Sequence, residues 1–76
     1  MSERMADLAL LDTVALLRDL PEWGLVRGQV GVVVDDSGGP GVLVEFTDAD
    51  GRTLALPNVP RTDLLALKGV PLLAAE

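Results

Sequence analysis

The stretch VRGQVGVVVDDSGGPGVLVEFTDADGRTLAL, residues Val26 to Leu56, decides the fold of this chain. It holds three runs rich in valine, leucine and phenylalanine, separated by turns rich in glycine and aspartate. β-Branched and aromatic residues favour strands, whereas Gly, Asp, Ser and Pro favour turns. The stretch therefore predicts an antiparallel meander of three strands, Gln29–Asp35, Val42–Phe46 and Thr53–Leu56.

The segment before the meander is predicted to add a strand and a loop. Leu10–Arg18 has an apolar run that suits either a helix or a buried strand. We predict a strand, because the sheet needs a partner at its edge. Asp19–Gly28 is predicted to be a loop, since proline and glycine interrupt it and Gly24 can adopt a positive φ cheaply.

The segment after the meander is predicted to supply the last strand. Asn58–Asp63 is typical of a single tight helical turn, and Leu64–Leu67 follows as a short strand. Ser2 is suited to N-cap a short helical arm. The predicted organisation is an N-terminal arm over residues 1–9, a small β-barrel domain over 10–68 and a C-terminal tail over 69–76.

The predicted fold class is mainly β, with five strands in a strongly curled antiparallel sheet that closes into a small barrel. Side chains alternate between the two faces of a strand, so the apolar residues divide into two sets. The predicted core consists of Val30, Val32, Val34, Val42, Val44, Phe46, Leu54 and Leu56. The residues predicted to point outward are Ala15, Leu17, Val33, Leu43 and Ala55.

Several motifs along the chain resemble a family of small bacterial proteins of unknown function. They are Leu10-Leu11-Asp12, Val14, Leu16, Asp19-Leu20-Pro21-Glu22, Gly24-Leu25, Gly28, Gly31-Val32-Val33, Val44-Glu45-Phe46 and Asp50-Gly51. The segment Gly28–Val33 is also similar to KOW-type and nitrile-hydratase β-subunit-type small barrels. The resemblance implies a five-stranded barrel of the Src-homology-three type, and it brings no catalytic residues to this chain.

The composition narrows the range of functions. The chain has 76 residues, no cysteine and no histidine, so it lacks the thiolates and imidazoles that metal sites and general bases use most often. Its 12 acidic and 6 basic residues give a net charge of -6, which disfavours binding to nucleic acid. No stretch has the length of a membrane span and no signal-peptide pattern is visible, so we expect a bacterial cytoplasmic protein.

Candidate catalytic and ligand-binding motifs are incomplete. Asp48-Ala49-Asp50-Gly51 is similar to the start of a calcium loop, but the later oxygen ligands and the final glutamate are missing. The glycine-rich run 37–41 lacks the lysine and the following helix of a phosphate-binding loop. The carboxylates Asp35 and Asp36 lie at the opposite end of the meander from Asp48. We therefore predict no enzyme activity, no metal and no cofactor.

The surplus of apolar residues points to a protein partner. Hydrophobic residues make up 49% of a chain too short to bury them all. The residues predicted to contact a partner are Leu17, Trp23, Val33, Leu43, Val70, Leu72 and Leu73. For Trp23 two interpretations stay open, a lid over one end of the core or an anchor for the partner. The N-terminal arm and the C-terminal tail are alternative covers for the outward face.

Three functions are compatible with these observations. The first is a non-enzymatic protein-interaction module that self-associates or docks on a partner protein through an apolar sheet face. The second is an antitoxin-like or immunity-like inhibitor of a basic toxin or nuclease. The third is a KOW-like RNA-binding barrel, which the acidic charge disfavours.

Overall fold

The computed structural model describes residues 8–36 and 38–67. Six strands are present in that part of the chain: β1 Thr13–Leu16, β2 Val30–Asp35, β3 Gly41–Thr47, β4 Thr53–Ala55, β5 Asn58–Pro60 and β6 Leu64–Ala66. Two short 3-10 turns, Pro21–Trp23 and Arg61–Asp63, accompany them. The fold is mainly β, as predicted. Residues 1–7 of the predicted arm and the whole predicted tail lie outside the described residues.

The strands form one antiparallel sheet in the order β4-β3-β2-β1-β6, with β5 also paired to β3. The seven residues of β3 pair with β5 through Gly41–Leu43 and with β4 through Phe46 and Thr47. Between these two pairings, the Val44 N–H donates to the carbonyl of Pro57 at 3.0 Å. Strands β4 and β5 therefore follow a single path along one edge of β3, broken near Pro57.

This topology corrects two predictions. The expected helical turn at 58–63 is shorter, because its first half pairs with β3 as strand β5 and only Arg61–Asp63 turns. The expected closed barrel is an open sheet among the described residues, since β4 and β6 lie at opposite ends of the strand order. The strand count rises from five to six because the proline-containing stretch Leu56–Pro57 interrupts what would otherwise be one strand.

The register of β2 places a different set of side chains in the core from the predicted set. Val33 lies directly opposite Val44, and Gly31 lies opposite Val14, so Gly31 and Val33 face inward. Val33 is 0% exposed, whereas Val30 is 51% exposed. The prediction that Val30, Val32 and Val34 fill the core was wrong; the last two are half-buried on the outer face.

Strand β4 also turns the face that was predicted to be outward towards the core. Ala55 lies opposite Phe46 and is buried, whereas Leu54 and Leu56 are 53% and 44% exposed. The inward assignment of these two leucines was wrong, as was the outward assignment of Ala55. Strands β1 and β3 face as predicted. The buried hydrophobic residues are Leu8, Val14, Leu16, Leu20, Leu25, Val33, Val42, Val44, Phe46, Ala55, Val59 and Leu64.

A network around Arg61 fastens the second 3-10 turn to the connection between β2 and β3. Its Nε donates to the carbonyl of Gly39 at 2.9 Å, and its backbone N–H donates to the carbonyl of Pro40 at 2.9 Å. Its guanidinium also forms an ion pair with Asp36, whose carboxylate accepts a hydrogen bond from the Gly38 N–H. The turn that precedes β6 is therefore held to a distant part of the chain.

Candidate protein-binding surface

The outer face of the sheet carries a row of apolar side chains. Ala15 in β1 is paired with Val30 of β2 on one side and with Leu65 of β6 on the other. Directly paired residues in antiparallel strands point to the same face. Leu17 follows Ala15 by two residues and lies on that face as well. We call Ala15, Leu17, Val30 and Leu65 the Ala15 patch.

The Ala15 patch combines three exposed aliphatic side chains with one small side chain. Its three large members are substantially exposed: Leu17 by 40%, Val30 by 51% and Leu65 by 46%. Ala15, at the centre, has a small side chain and is half-buried. Paired Cβ atoms lie about 5 Å apart and diagonal neighbours about 7–8 Å apart. The patch therefore exposes three aliphatic side chains next to the small side chain of Ala15.

The patch has a polar border next to Leu17, and it continues along β2 as apolar surface until it reaches a second polar group on β3. Next to Leu17, the Arg18 guanidinium lies 3.4 Å from the Asp63 carboxylate. Along β2 the outer face continues through Val32 and Val34, which are half-buried. On β3 the outer face includes Glu45, whose carboxylate accepts a hydrogen bond from the Thr53 hydroxyl. Polar groups thus limit the apolar surface at two of its sides.

The structure separates the residues that the sequence predicted for partner contact. Leu17 belongs to the Ala15 patch. Leu43 is half-buried on β3 and is paired with Asp35 and Asn58, away from that patch. Val33 is fully buried in the core and lies opposite Val44, so its predicted place on the outer face was wrong. The predicted residues Val70, Leu72 and Leu73 lie outside the described residues.

Trp23 lies in the first 3-10 turn and is 46% exposed. The backbone N–H of Trp23 donates to the carbonyl of Leu20 at 2.9 Å, and Gly24 ends the turn with a φ of 71°. Leu20 and Leu25 form an isolated bridge on either side of the turn, and both are buried in the core. Leu20 and Leu25 thus belong to the core, whereas Trp23 between them is largely exposed.

Sequence reasoning missed two of the four members of the Ala15 patch. Val30 was assigned to the core, and Leu65 was not singled out. The alternation in β2 places Val30, Val32 and Val34 on one face and Gly31, Val33 and Asp35 on the other, so the number of valines favoured the wrong face as the inward one. The one available signal was Gly31, because a glycine facing a core next to a large aromatic ring leaves room for that ring.

The side chain of Asp48 accepts hydrogen bonds from backbone N–H groups of its own turn. The Asp48 Oδ1 atom accepts hydrogen bonds from the backbone N–H groups of Asp50 and Arg52, at 2.8 and 3.0 Å. Gly51 completes this turn with a φ of 84°. Within residues 8–36 and 38–67, no group of three or more histidine, cysteine or acidic residues is placed to hold a metal ion. In this structure Asp48 therefore shapes the hairpin that joins β3 to β4.

The pKa of Asp36 is lowered from its ordinary value of 3.8. The largest cause is the hydrogen bond from the Arg61 guanidinium, followed by the hydrogen bond from the Gly38 N–H. Desolvation opposes the shift. The carboxylate is thus held in its charged form by groups that belong to the fold, which is the usual result of a structural ion pair.

The fold and this surface define a small mainly β domain built on an open six-stranded antiparallel sheet with an apolar outer face. A family described as a domain of unknown function (DUF4926) matches residues 10–66, which is most of the chain. The chain belongs to this family, which confirms the resemblance to a family of unknown function. No curated protein and no solved structure matches the chain significantly. Across residues 8–36 and 38–67, no helix is long and apolar enough to cross a membrane.

Proposed function

We propose that this protein is a non-enzymatic interaction module that binds a partner protein, or a second copy of itself, through the Ala15 patch. One observation carries the proposal: three aliphatic side chains, 40–51% exposed, surround a small residue on the outer face of the sheet. Contiguous apolar surface of this kind on a small domain is typical of an interaction site. The proposed site contains Leu17 from the predicted set, together with Val30 and Leu65.

The energetics favour the patch over the charged residues as the source of affinity. Removing apolar surface from water stabilises a complex by about 25 cal/mol per Å². An exposed ion pair such as the one between Arg18 and Asp63 contributes roughly 0–1 kcal/mol. A partner that covers Leu17, Val30 and Leu65 therefore gains more from apolar burial than from that pair. The acidic net charge of -6 adds attraction to a basic partner at long range.

The absence of an enzyme activity is part of the proposal. It is supported by the lack of histidine and cysteine in the whole sequence. Among the described acidic side chains, Asp36 and Asp48 accept hydrogen bonds within turns, and Glu45 accepts one from the Thr53 hydroxyl. A general base or a nucleophile needs a neighbouring group that activates it and a place for substrate. The proposed function requires neither an activating neighbour nor a place for substrate.

We also infer that the open sheet is a relative of the Src-homology-three type of small barrel. Two features support this inference. The strand order runs from β6 through β1, β2 and β3 to the broken strand β4 and β5. A 3-10 turn, Arg61–Asp63, comes directly before the last strand. An experimental structure of the full chain, with the strand pairing at both ends of the sheet, tests this inference.

The binding proposal is tested by two substitutions in the patch and one outside it. Leu65→Lys places a charge in the patch, and Ala15→Leu enlarges the side chain that lies between Val30 and Leu65. Leu54→Lys is the matched control, because Leu54 is 53% exposed on β4 and does not belong to the patch. Circular dichroism and thermal unfolding first establish that each variant is folded.

Sedimentation velocity across a range of concentrations then measures self-association, and titration calorimetry measures binding to a purified protein recovered with the wild-type chain. We expect both patch variants to weaken the association at least about tenfold, as for substitutions at binding hot spots, and the control to leave it unchanged. The proposal is overturned if the wild type stays monomeric and every recovered protein binds all variants equally well.

A further inference from the structure

Strand β6 has a free edge among the described residues. It ends the strand order β4-β3-β2-β1-β6, and within residues 8–36 and 38–67 its pairing is with β1 alone. A free edge presents unpaired backbone N–H and C=O groups to which another strand can bind. The strand consists of Leu64, Leu65 and Ala66, so no charged side chain within it protects the edge. Folded proteins normally cover an edge of this composition.

The hydrogen bonds to β1 show which backbone groups of β6 face the free edge. The N–H of Leu67 donates to the carbonyl of Thr13 at 2.9 Å, and the N–H of Leu17 donates to the carbonyl of Asp63 at 2.8 Å. Backbone groups alternate in direction along a strand, so every second residue from Asp63 to Leu67 faces β1. The residues between them direct their backbone groups towards the free edge.

Three backbone groups are available at this edge. Leu64 and Ala66 are the residues of β6 that direct their backbone away from β1. The N–H of Leu64 is already used, because it donates to the carbonyl of Arg61 in the 3-10 turn. The carbonyl of Leu64 and both the N–H and the carbonyl of Ala66 have no partner among the described residues. A strand in register with Leu64 and Ala66 would bind all three groups.

The sequence after β6 has the pattern of a hairpin that returns in this register. Leu67-Lys68-Gly69 is a possible connection of three residues with glycine in third place. Three-residue hairpin loops are typically a type I turn followed by a residue with positive φ, which glycine adopts readily. Such a loop pairs Ala66 with Val70. Two residues further along, the next hydrogen-bonded pair is Leu64 with Leu72.

Pro71 fits this register and does not fit one shifted by a residue. It falls opposite Leu65, at a position whose N–H would point away from β6. Proline has no N–H, so an edge strand tolerates it where that group would face solvent. A shift of one residue would place Pro71 opposite Leu64 or Ala66, where a carbonyl of β6 needs a donor. The position of the proline therefore favours a single register.

The same register places apolar side chains on the inner face. Leu64 is buried in the core, and Ala66 packs against it. Directly paired residues in antiparallel strands point to the same face, so Leu72 joins Leu64 and Val70 joins Ala66 on that face. The hydrogen-bonding pattern and the apolar pattern of the sequence thus agree on one arrangement.

We propose that residues 70–73 bind the free edge of β6 in the same chain, as a seventh antiparallel strand. The N–H of Ala66 donates to the carbonyl of Val70, and the N–H of Leu72 donates to the carbonyl of Leu64. A short link gives the segment an effective concentration on the order of millimolar at the edge, so it binds there ahead of a second copy. The inference concerns the sheet edge and does not depend on the Ala15 patch.

Amide hydrogen exchange of the isotopically labelled full chain, followed residue by residue by NMR, tests the pairing. We expect the N–H groups of Ala66 and Leu72 to be protected. The N–H of Leu73 points away from β6 in this register and exchanges quickly. A nuclear Overhauser effect between the Hα atoms of Leu65 and Pro71 measures the register, because the Cα atoms of such a pair are about 4.5 Å apart.

Two proline variants separate the proposed pairing from a general effect of proline. Leu72→Pro removes an N–H that faces β6, whereas the matched control Leu73→Pro removes one that faces away. We expect the protection factor of the Ala66 N–H to fall by about tenfold or more in Leu72→Pro and to stay unchanged in Leu73→Pro. The N–H of Val44, which donates to the carbonyl of Pro57, reports that the rest of the sheet stays folded.

Four results would overturn the proposal. The N–H of Ala66 exchanges as quickly as that of Leu73. The Hα of Leu65 has its cross-strand contact with a residue other than Pro71. The two proline variants change the protection of Ala66 equally. The protection of Ala66 rises with protein concentration over an about tenfold range, which would show that a second copy supplies the strand.

Discussion

Gly31 lies against the aromatic ring of Phe46, so closely that a Cβ atom at position 31 would be 2.8 Å from Cε1 of the ring. The same Cβ would be 2.8 Å from the backbone carbonyl oxygen of Glu45, so it could not be accommodated by rotating the ring alone. Phe46 is 0% exposed. The largest side chain of the core is therefore buried against a position without a side chain.

Replacing Gly31 by alanine tests this packing. We expect Gly31→Ala to lower the free energy of unfolding by about 1–3 kcal/mol, because the strands must shift to admit the methyl group. Urea denaturation followed by circular dichroism measures the loss. Gly39→Ala is the matched control, since a Cβ atom added at Gly39 would have no neighbouring atom within 4 Å. Equal losses for the two variants would contradict the proposed contact.

The inward orientation of β2 is tested by a pair of valines. Val33→Ala removes buried methyl groups and leaves a cavity, so we expect a loss of about 2 kcal/mol in the free energy of unfolding. Val30→Ala alters a side chain that is 51% exposed, and we expect a change within about 0.5 kcal/mol. If Val30→Ala is the more damaging substitution, then β2 presents its opposite face to the core.

The hairpin between β3 and β4 depends on the Asp48 carboxylate. Asp48→Ala removes the acceptor of two backbone hydrogen bonds, which we expect to cost about 0.5–1.5 kcal/mol for each bond left without a protein partner. Asp50→Ala removes the same charge from an exposed position of the same turn. We expect it to change stability by less than about 0.5 kcal/mol. Thermal unfolding measures the loss of stability in each variant. Similar losses in the two variants would show that the negative charge, rather than the hydrogen bonds of Asp48, accounts for the effect.

The ion pair between Asp36 and Arg61 predicts a pH dependence in acid. Because the pKa of Asp36 is lower in the folded chain than its ordinary value of 3.8, the unfolded chain binds the proton more tightly. The stabilisation by this carboxylate is therefore complete above pH 3.8 and is lost as the pH falls through the folded pKa. We expect the stability difference between the wild type and Asp36→Asn to be constant near neutral pH and to shrink below that value.

Urea denaturation at a series of pH values measures this difference. The Arg61→Gln variant removes the largest cause of the shift, so the pKa of Asp36 rises towards its ordinary value and the acid dependence weakens. A difference between wild type and Asp36→Asn that does not vary with pH would show that the pair does not contribute in this way.

Local patterns predicted the elements of this fold well. Valine-rich runs become β2 and β3, and Gly24, Gly28 and Gly51 take the positive φ angles that their turns require. The strand at Thr13–Leu16 is confirmed although its run also suited a helix. These features could be predicted because strand and turn preferences act between residues that are close in the chain. The site was less predictable: Leu17 was predicted, whereas Val30 and Leu65 were not.

Local preferences alone predicted five of the six strands and most turns, and the composition indicated more apolar side chains than one small interior holds. Only the tertiary structure decided which of these side chains are left outside. In β2 the face with three valines is the outer one, although a slip of one residue would exchange the two faces. The choice was made by contacts between distant segments, Gly31 with Phe46 and Val33 with Val44, whose shapes no local pattern contains.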